Sequence, residues 1–393
     1  VADRFGRRKI FLSGLLLYGA AGIMAGSIPV IWVLILARSL QGIAIAMLSP
    51  SGLAMSLNEF PPSRRAYALG VWGTIGALTG LCGSPIAAGM IELFNWQAIF
   101  ILTGGFSLLI LLAGFVVLSD EQEGNNQLPI DWISAIIAVM AVGGLTLFLV
   151  QGQEWGFSSP VTLLCLCISI ISTPLLARRN RTQRHPLFPP AIFAQRSFTI
   201  GAAGSALCQV GFFSIYFGLP LYMREVWSWS PLKIGFALIP LNVVPLLTAA
   251  VAGKIVDRQG PRPMVIFGGI WSGVSFLIIG FFLMEAGYIL FALGLLVSGL
   301  GAMAIGNNTT IATLLDIEDG LLASASSASY TARRLGSALG AVLTASIVGN
   351  RLGSDFKDVY IWVWILGAGA YLLGSLITYL YYPRRNEQGL SNV

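Results

Sequence analysis

The feature that most constrains this chain is a series of apolar runs, each long enough to cross a bilayer core, recurring from one end to the other. They fall at 10–28, 31–56, 66–91, 97–118, 131–150, 160–177, 197–222, 231–252, 263–284, 287–310, 328–349 and 359–382. At about 20 residues per crossing, this predicts about 12 transmembrane helices. Hydrocarbon offers no water to the backbone, so a spanning segment must satisfy its own N–H and C=O groups, and a helix does so within itself. Composition agrees: of 393 residues, 56% are hydrophobic and 10% charged, with mean hydropathy +0.80. A soluble domain needs about a quarter charged residues to cover its surface. The expected class is an all-α polytopic membrane protein.

The basic residues orient these spans. With the first loop cytoplasmic, that side holds Arg4, Arg7, Arg8, Lys9, Arg64, Arg65, Arg178, Arg179, Arg181, Arg184, Arg196, Lys254, Arg258, Arg262, Arg333, Arg334, Arg384 and Arg385. The other side holds Arg224, Lys233, Arg351 and Lys357, a ratio of 18 to 4, and Arg38, inside a span, is the one basic residue left to neither side. Such asymmetry is the positive-inside pattern. It predicts both termini of the chain in the cytoplasm and reads the net charge of +6 as membrane orientation, not a nucleic-acid surface. Trp96, Trp132, Trp155, Trp227 and Trp229 fall near span ends, where amphipathic rings settle among headgroups.

Catalytic and metal chemistry find little support. Cys82, Cys165, Cys167 and Cys208 lie in apolar stretches without ligand spacing and read as packed or lipid-facing thiols. His185 stands in a polar loop. No nucleophile–base pair, phosphate loop or carboxylate cluster is present in the sequence. The expectation is no enzyme, no metal and no cofactor.

One stretch occurs twice. VADRFGRR at 1–8 returns as IVDRQGPR at 255–262, with Asp3/Asp257, Arg4/Arg258, Gly6/Gly260 and Arg8/Arg262 in register and Arg7 beside them. Glycine relieves strain in a tight turn, and an aspartate favours the start of the next helix. The arginines can pair with that aspartate or with a neighbouring helix, forming a latch that breaks when bundles move; a simple positive-inside anchor is the alternative. The second copy follows a complete helix, so two spans are expected ahead of residue 1, making the chain a fragment lacking its first hairpin.

These residues resemble the loop motif of the major facilitator superfamily. LILARSLQGIAIA (34–46) resembles its fourth-span motif, GALTGLCGSPIAAGM (76–90) its fifth-span antiporter motif, and GKIVDRQGPRP (253–263) the repeated loop of its second half. Four spans precede the acidic linker SDEQEGNNQ (119–127), two lie between it and the basic RRNRTQRHPLFPP (178–190), and six follow. With two more in front, the six-two-six arrangement resembles the fourteen-span drug:proton antiporters, as do 130–160 and 219–240. The resemblance implies a last-four-span part of an N-terminal bundle at 1–118, two linker helices at 119–185 and a C-terminal six-helix bundle at 186–393.

It also implies roles. Arg38, with Gln41 and Gly42 within one turn, is the member implicated in coupling proton movement to substrate release. An arginine inside a span is expected to face protein or a water-filled cavity, and structural bonding to backbone carbonyls is the other role open to it. Gly76, Gly80, Gly83, Pro85 and Gly89 suit close helix approach and a bend; the resemblance adds that this helix marks exporters. Ser84 and Ala88 depart from its usual pattern. A substrate cavity near the midplane is expected among Met47, Gln209, Phe212, Phe213, Tyr216, Asn242, Asn307 and Asn308, whose aromatics and amides suit flat apolar or cationic compounds. In this branch the coupling acid often lies in the first span, ahead of residue 1.

The expectation is a secondary active transporter that expels hydrophobic or cationic drugs, driven by protons through alternating access. Export or uptake of a metabolite or siderophore is a second reading, and a non-transporting receptor or scaffold a third. Partners are a small-molecule substrate, protons and lipid, with no nucleic acid and a monomeric state; whether outer-membrane tripartite partners exist is open. The expected location is a bacterial inner membrane.

Overall fold

The structure, a computed structural model, describes residues 6–58, 60, 65–118, 131–183, 186–284, 286–306, 308–318, 321–349 and 356–383. Its helices are α1 (Arg7–Ser27), α2 (Ile31–Asn58), α3 (Arg65–Leu93), α4 (Trp96–Val117), α5 (Trp132–Trp155), α6 (Pro160–Thr182), α7 (Pro190–Ala194) and α8 (Arg196–Glu225). They continue as α9 (Pro231–Ala237), α10 (Ile239–Gln259), α11 (Pro261–Ile278), α12 (Tyr288–Ile305), α13 (Asn308–Leu314), α14 (Leu322–Gly349) and α15 (Phe356–Tyr381). Among the described residues, 11 helical segments are long and apolar enough to cross a membrane. Their outer faces are apolar: Val116 is 86% exposed and Ile289 77%, a surface suited to lipid chains.

The chain divides into two units, 1–130 with 231–236, and 131–230 with 237–393. In the first, α1 packs against both α2 and α4. Glycine makes this possible: a Cβ on Gly22 would stand 2.8 Å from the Gly104 Cα, and one on Gly104 would stand 2.9 Å from the Gly19 carbonyl. In lipid there is no hydrophobic drive between helices, so close backbone packing and interhelical hydrogen bonds carry association. Ser107 Oγ accordingly donates to the Leu15 carbonyl at 2.9 Å.

In the second unit α8 packs against α13, α14 and α15, while α11 joins α15 to α12. Gly336 and Gly340 press α14 onto the carbonyls of Ala206 and Val210. Ser214 Oγ donates to the Gly340 carbonyl at 3.2 Å, and Thr344 Oγ1 donates to the Ser214 carbonyl at 3.3 Å. The α5–α6 hairpin is clipped where its ends meet. Arg179 donates from Nη2 to Asp131 Oδ1 at 2.9 Å and from Nε to Oδ2 at 3.2 Å, and Ser134 Oγ donates to Oδ2 at 2.5 Å. The guanidinium, opposed in part by desolvation and helped by Ser134, holds the Asp131 carboxyl down at about 2.

Several boundaries differ from the apolar runs. The run 231–252 is two helices, α9 and α10, meeting at Leu238; the run 287–310 ends its first helix at Ile305 and resumes at Asn308. The run 263–284 closes in a π-helical turn, Ile279–Leu283. The region 328–349 forms α14, but this helix is rich in serine and is not among the 11 apolar spans. Arg333 and Arg334, assigned above to a cytoplasmic loop, lie inside α14. The helix starts at Leu322, ahead of the apolar run.

Candidate functional site

The repeated loop motif has matching geometry at its two glycines. Gly6, which precedes α1, has φ 90°, and Gly260, which separates α10 from α11, has φ 77°. Both lie where a side chain is strained, so glycine is the residue that lets the chain turn there. The arginine two residues on from each glycine performs one task. Arg8 Nη2 donates to the Phe115 carbonyl at 3.3 Å, and Arg262 Nη2 donates to the Tyr379 carbonyl at 2.7 Å. Phe115 and Tyr379 sit in the last turns of α4 and α15, whose free carbonyls and negative dipole ends favour a cation. Arg7 and Arg258 are also described, Arg7 half-buried and Arg258 exposed. Asp3, Arg4 and the Asp257 side chain lie outside the described residues, so the aspartate half of the expected latch is not placed.

Arg38 and Gln41 come together on α2. Arg38 Nη1 donates to Gln41 Oε1 at 3.4 Å, and its guanidinium lies 4.4 Å from the centre of the Phe100 ring on α4. Phe100 is in turn set edge-on to Trp96 at 5.8 Å, so the cation rests on an aromatic face fixed by its neighbour. Gln41 is only 3% exposed, whereas Arg38 is exposed. Position 41 turns with Ala37 and Ala44 into the packed side of α2, while the guanidinium keeps the open side and the Phe100 ring. A Cβ on Gly42 would meet nothing within 4 Å.

The glycines of α3 divide the same way. Gly76 and Gly83 face open space, and a Cβ on Gly89 would meet only Leu232 Cδ1, at 3.7 Å; close helix approach is not what they provide here. Pro85 lies inside the helix, and Gly80 is half-buried. The segment 231–236 docks just there: a Cβ on Gly235 would stand 2.9 Å from both the Ala88 Cβ and the Ser84 carbonyl. Glu92 Oε2 accepts from the Leu232 N–H at 3.1 Å, tying the end of α3 to the same segment.

The expected cavity residues fall mainly on one helix. Phe212 and Tyr216 on α8 stack at 5.5 Å with rings 16° apart, and Phe213 stands edge-on to Phe212 at 5.5 Å. Gln209 Nε2 donates to Ser337 Oγ on α14 at 3.4 Å. Asn242 Nδ2 donates to the Leu238 carbonyl at 3.5 Å, and Asn308 Nδ2 to the Ala304 carbonyl at 2.9 Å, so both amides bond to backbone one turn earlier. Met47 is half-buried on α2, and Asn307 lies outside the described residues. The sequence reading missed Arg333, which donates from Nη1 to Thr310 Oγ1 on α13. Its signal was present: two adjacent arginines lie within helical reach of Gly336 and Gly340, well before any turn residue.

Comparison with known proteins follows this geometry. The family model described as Major Facilitator Superfamily matches residues 1–214 and 201–392. The tetracenomycin C resistance and export protein of Streptomyces glaucescens is 26% identical over 360 residues, covering 91% of this chain and 66% of the relative. The multidrug export protein EmrB of Escherichia coli is 26% identical over 356 residues, covering 89% of the chain and 69% of the relative. The multidrug resistance protein Stp of Mycobacterium tuberculosis is 26% identical over 370 residues, with 91% and 66% covered. The chain thus spans between 66% and 69% of the length of these relatives. Among solved structures, a peptide transporter POT in complex with sulfate superposes with a TM-score of 0.66 at 19% identity, covering 96% of this chain and 80% of that one. At that identity the likeness concerns the fold.

Proposed function

Because the chain belongs to the Major Facilitator Superfamily, we propose that it is an integral membrane transporter that expels drug-like molecules in exchange for protons. The observation that carries this is the match, along about nine-tenths of the chain, to proteins named for antibiotic or multidrug export. The internal repeat supports it: Arg8 and Arg262 each hold the C-terminal end of a helix next to a motif glycine, as expected of two halves built alike. Transport is then by alternating access, and the arginine contacts are the attachments that hold each loop to its own half.

In this reading Arg38 and Gln41 form the coupling pair. An exposed guanidinium on a spanning helix can accept a negative neighbour in one state and rest on Phe100 in the other. The stacked Phe212 and Tyr216 give an apolar face for flat or cationic molecules. The segment around Ser84 and Pro85, against Gly235, is the flexible seal of the exporter-type helix. The two helices α5 and α6, clipped by Asp131 and Arg179, form the linker element at 119–185. The protein works without a cofactor, as a monomer, in a bacterial inner membrane with both ends of this chain cytoplasmic.

The test is drug susceptibility of a host lacking its own exporters. Expression of the protein raises the inhibitory concentration of several apolar antibiotics, and Arg38→Ala removes the gain at equal membrane abundance. Unchanged susceptibility across a broad panel, with the protein correctly inserted, would overturn the proposal.

A further inference from the structure

Arg333 is an unusual residue for its position. It lies inside α14, roughly 16 Å along the helix from Leu322 at 1.5 Å per residue, and is half-buried. Its neighbour Arg334 points its charge at its own helix, bonding Tyr330 Oη at 2.5 Å with the ring 4.8 Å from the guanidinium. Arg333 reaches across to α13, where Thr310 Oγ1 accepts from Nη1. A guanidinium has five N–H donors, and among the described residues no carboxylate pairs with this one.

The surroundings are polar where a bundle interior is usually apolar. Ser329, Arg333 and Ser337 stand four residues apart and so share a face of α14. Ser337 Oγ donates to the Arg333 carbonyl at 2.9 Å and accepts from Gln209 of α8. Ser329 is 2% exposed and its hydroxyl has no partner, as is also true of Ser205, one turn before Gln209 on α8. A half-buried cation with no counterion among the described residues, one turn from the partnerless hydroxyl of Ser329, is costly unless something completes it. The described carboxylates stand at helix ends or in loops, as Glu92, Asp131, Glu225, Asp316 and Asp358 do. None supplies the missing charge.

We propose that Arg333, where α14 meets Thr310 of α13, binds the anionic group of a substrate, a carboxylate or phenolate carried on an otherwise apolar frame, and acts as its charge partner. Thr310 fixes the guanidinium from one side, leaving the other donors for the ligand, and a planar fork suits a two-oxygen acceptor. The inference rests on the exporter reading and narrows it: a cation with no carboxylate partner among the described residues disfavours cationic drugs at this place and selects apolar acids.

The experiment is equilibrium binding to the purified protein in non-ionic detergent, read by fluorescence anisotropy. The two probes share a xanthene skeleton: anionic fluorescein and a cationic rhodamine. The protein binds fluorescein more tightly than the rhodamine. Arg333→Gln weakens fluorescein about ten- to a hundredfold, the worth of a charge-assisted hydrogen bond, and leaves the rhodamine unchanged or stronger. Absence of fluorescein binding, a preference for the rhodamine in the unaltered protein, or equal loss of both probes in the variant overturns the proposal. If Arg333→Gln does not fold, Arg333→Lys keeps the charge and must keep the fluorescein preference; its reversal also overturns the proposal. Binding needs no transport, so a failure here leaves the exporter reading to its own susceptibility test.

Discussion

Arg262, at the start of α11, donates from Nη2 to the backbone carbonyl of Tyr379, 2.7 Å away in the last turn of α15. The guanidinium also lies 5.8 Å from the centre of the Tyr379 ring. One side chain thus satisfies a carbonyl that its helix cannot, and places positive charge at the negative end of the dipole. Arg262→Ala removes both effects and is expected to destabilise the protein by about 1–2 kcal/mol. Thermal unfolding in detergent checks this: a lowered midpoint is predicted, with a partial recovery in Arg262→Lys.

Replacing Arg38 by Ala is expected to abolish transport while membrane insertion and thermal stability stay near those of the parent. The reason is its exposure: apart from Gln41 at 3.4 Å and the Phe100 ring, little packing depends on it. Quantifying inserted protein beside substrate flux separates the two effects. Retained flux would reduce Arg38 to a packing residue.

Gly340 and Gly42 make a contrasting pair. Gly340 abuts the Val210 carbonyl of α8, whereas Gly42 has nothing within 4 Å. Gly340→Val forces α14 away from α8 and is expected to cost about 1–3 kcal/mol, the range for overpacking. Gly42→Ala is expected to fold as well as the parent, and any loss it causes would then appear in transport alone. Parallel unfolding curves decide the matter.

The clip between Asp131 and Arg179 gives a pH signature. The Asp131 carboxyl falls from its ordinary 3.8 to about 2, with the Arg179 hydrogen bond as the largest cause. A depressed carboxyl adds stability above its unfolded value and loses it as the pH drops through the folded one. The stability gap between the parent and Asp131→Asn is therefore constant above 3.8 and closes as pH falls towards 2. A gap that stays open down to that pH would show that the ion pair contributes nothing to the hairpin.

The spans were legible because apolar length alone predicts a helix in lipid, and Gly6 and Gly260 were legible because the motif repeats. What remained hidden depends on which helix face meets which. Gly76 and Gly83 drew attention by their spacing yet face open space, while the tight contacts fall at Gly22, Gly104, Gly336 and Gly340. Sequence spacing gives a face but not its neighbour. Arg333 and Arg334, two adjacent arginines, read as a positive-inside signal on the cytoplasmic side. The place of Arg333 in the fold depends on Thr310, which approaches from a separate helix. The aromatic contact of Arg38 is hidden for the same kind of reason: Phe100 arrives from α4 and takes the cation.

The most direct test of the central claim is uptake of a fluorescent drug into everted membrane vesicles carrying the protein, with an imposed proton gradient, acidic inside. The account predicts accumulation that begins when the gradient is established, stops on adding a protonophore and is absent in Arg38→Ala vesicles. Accumulation that is the same with and without the gradient, or none in vesicles that hold correctly inserted protein, would contradict it.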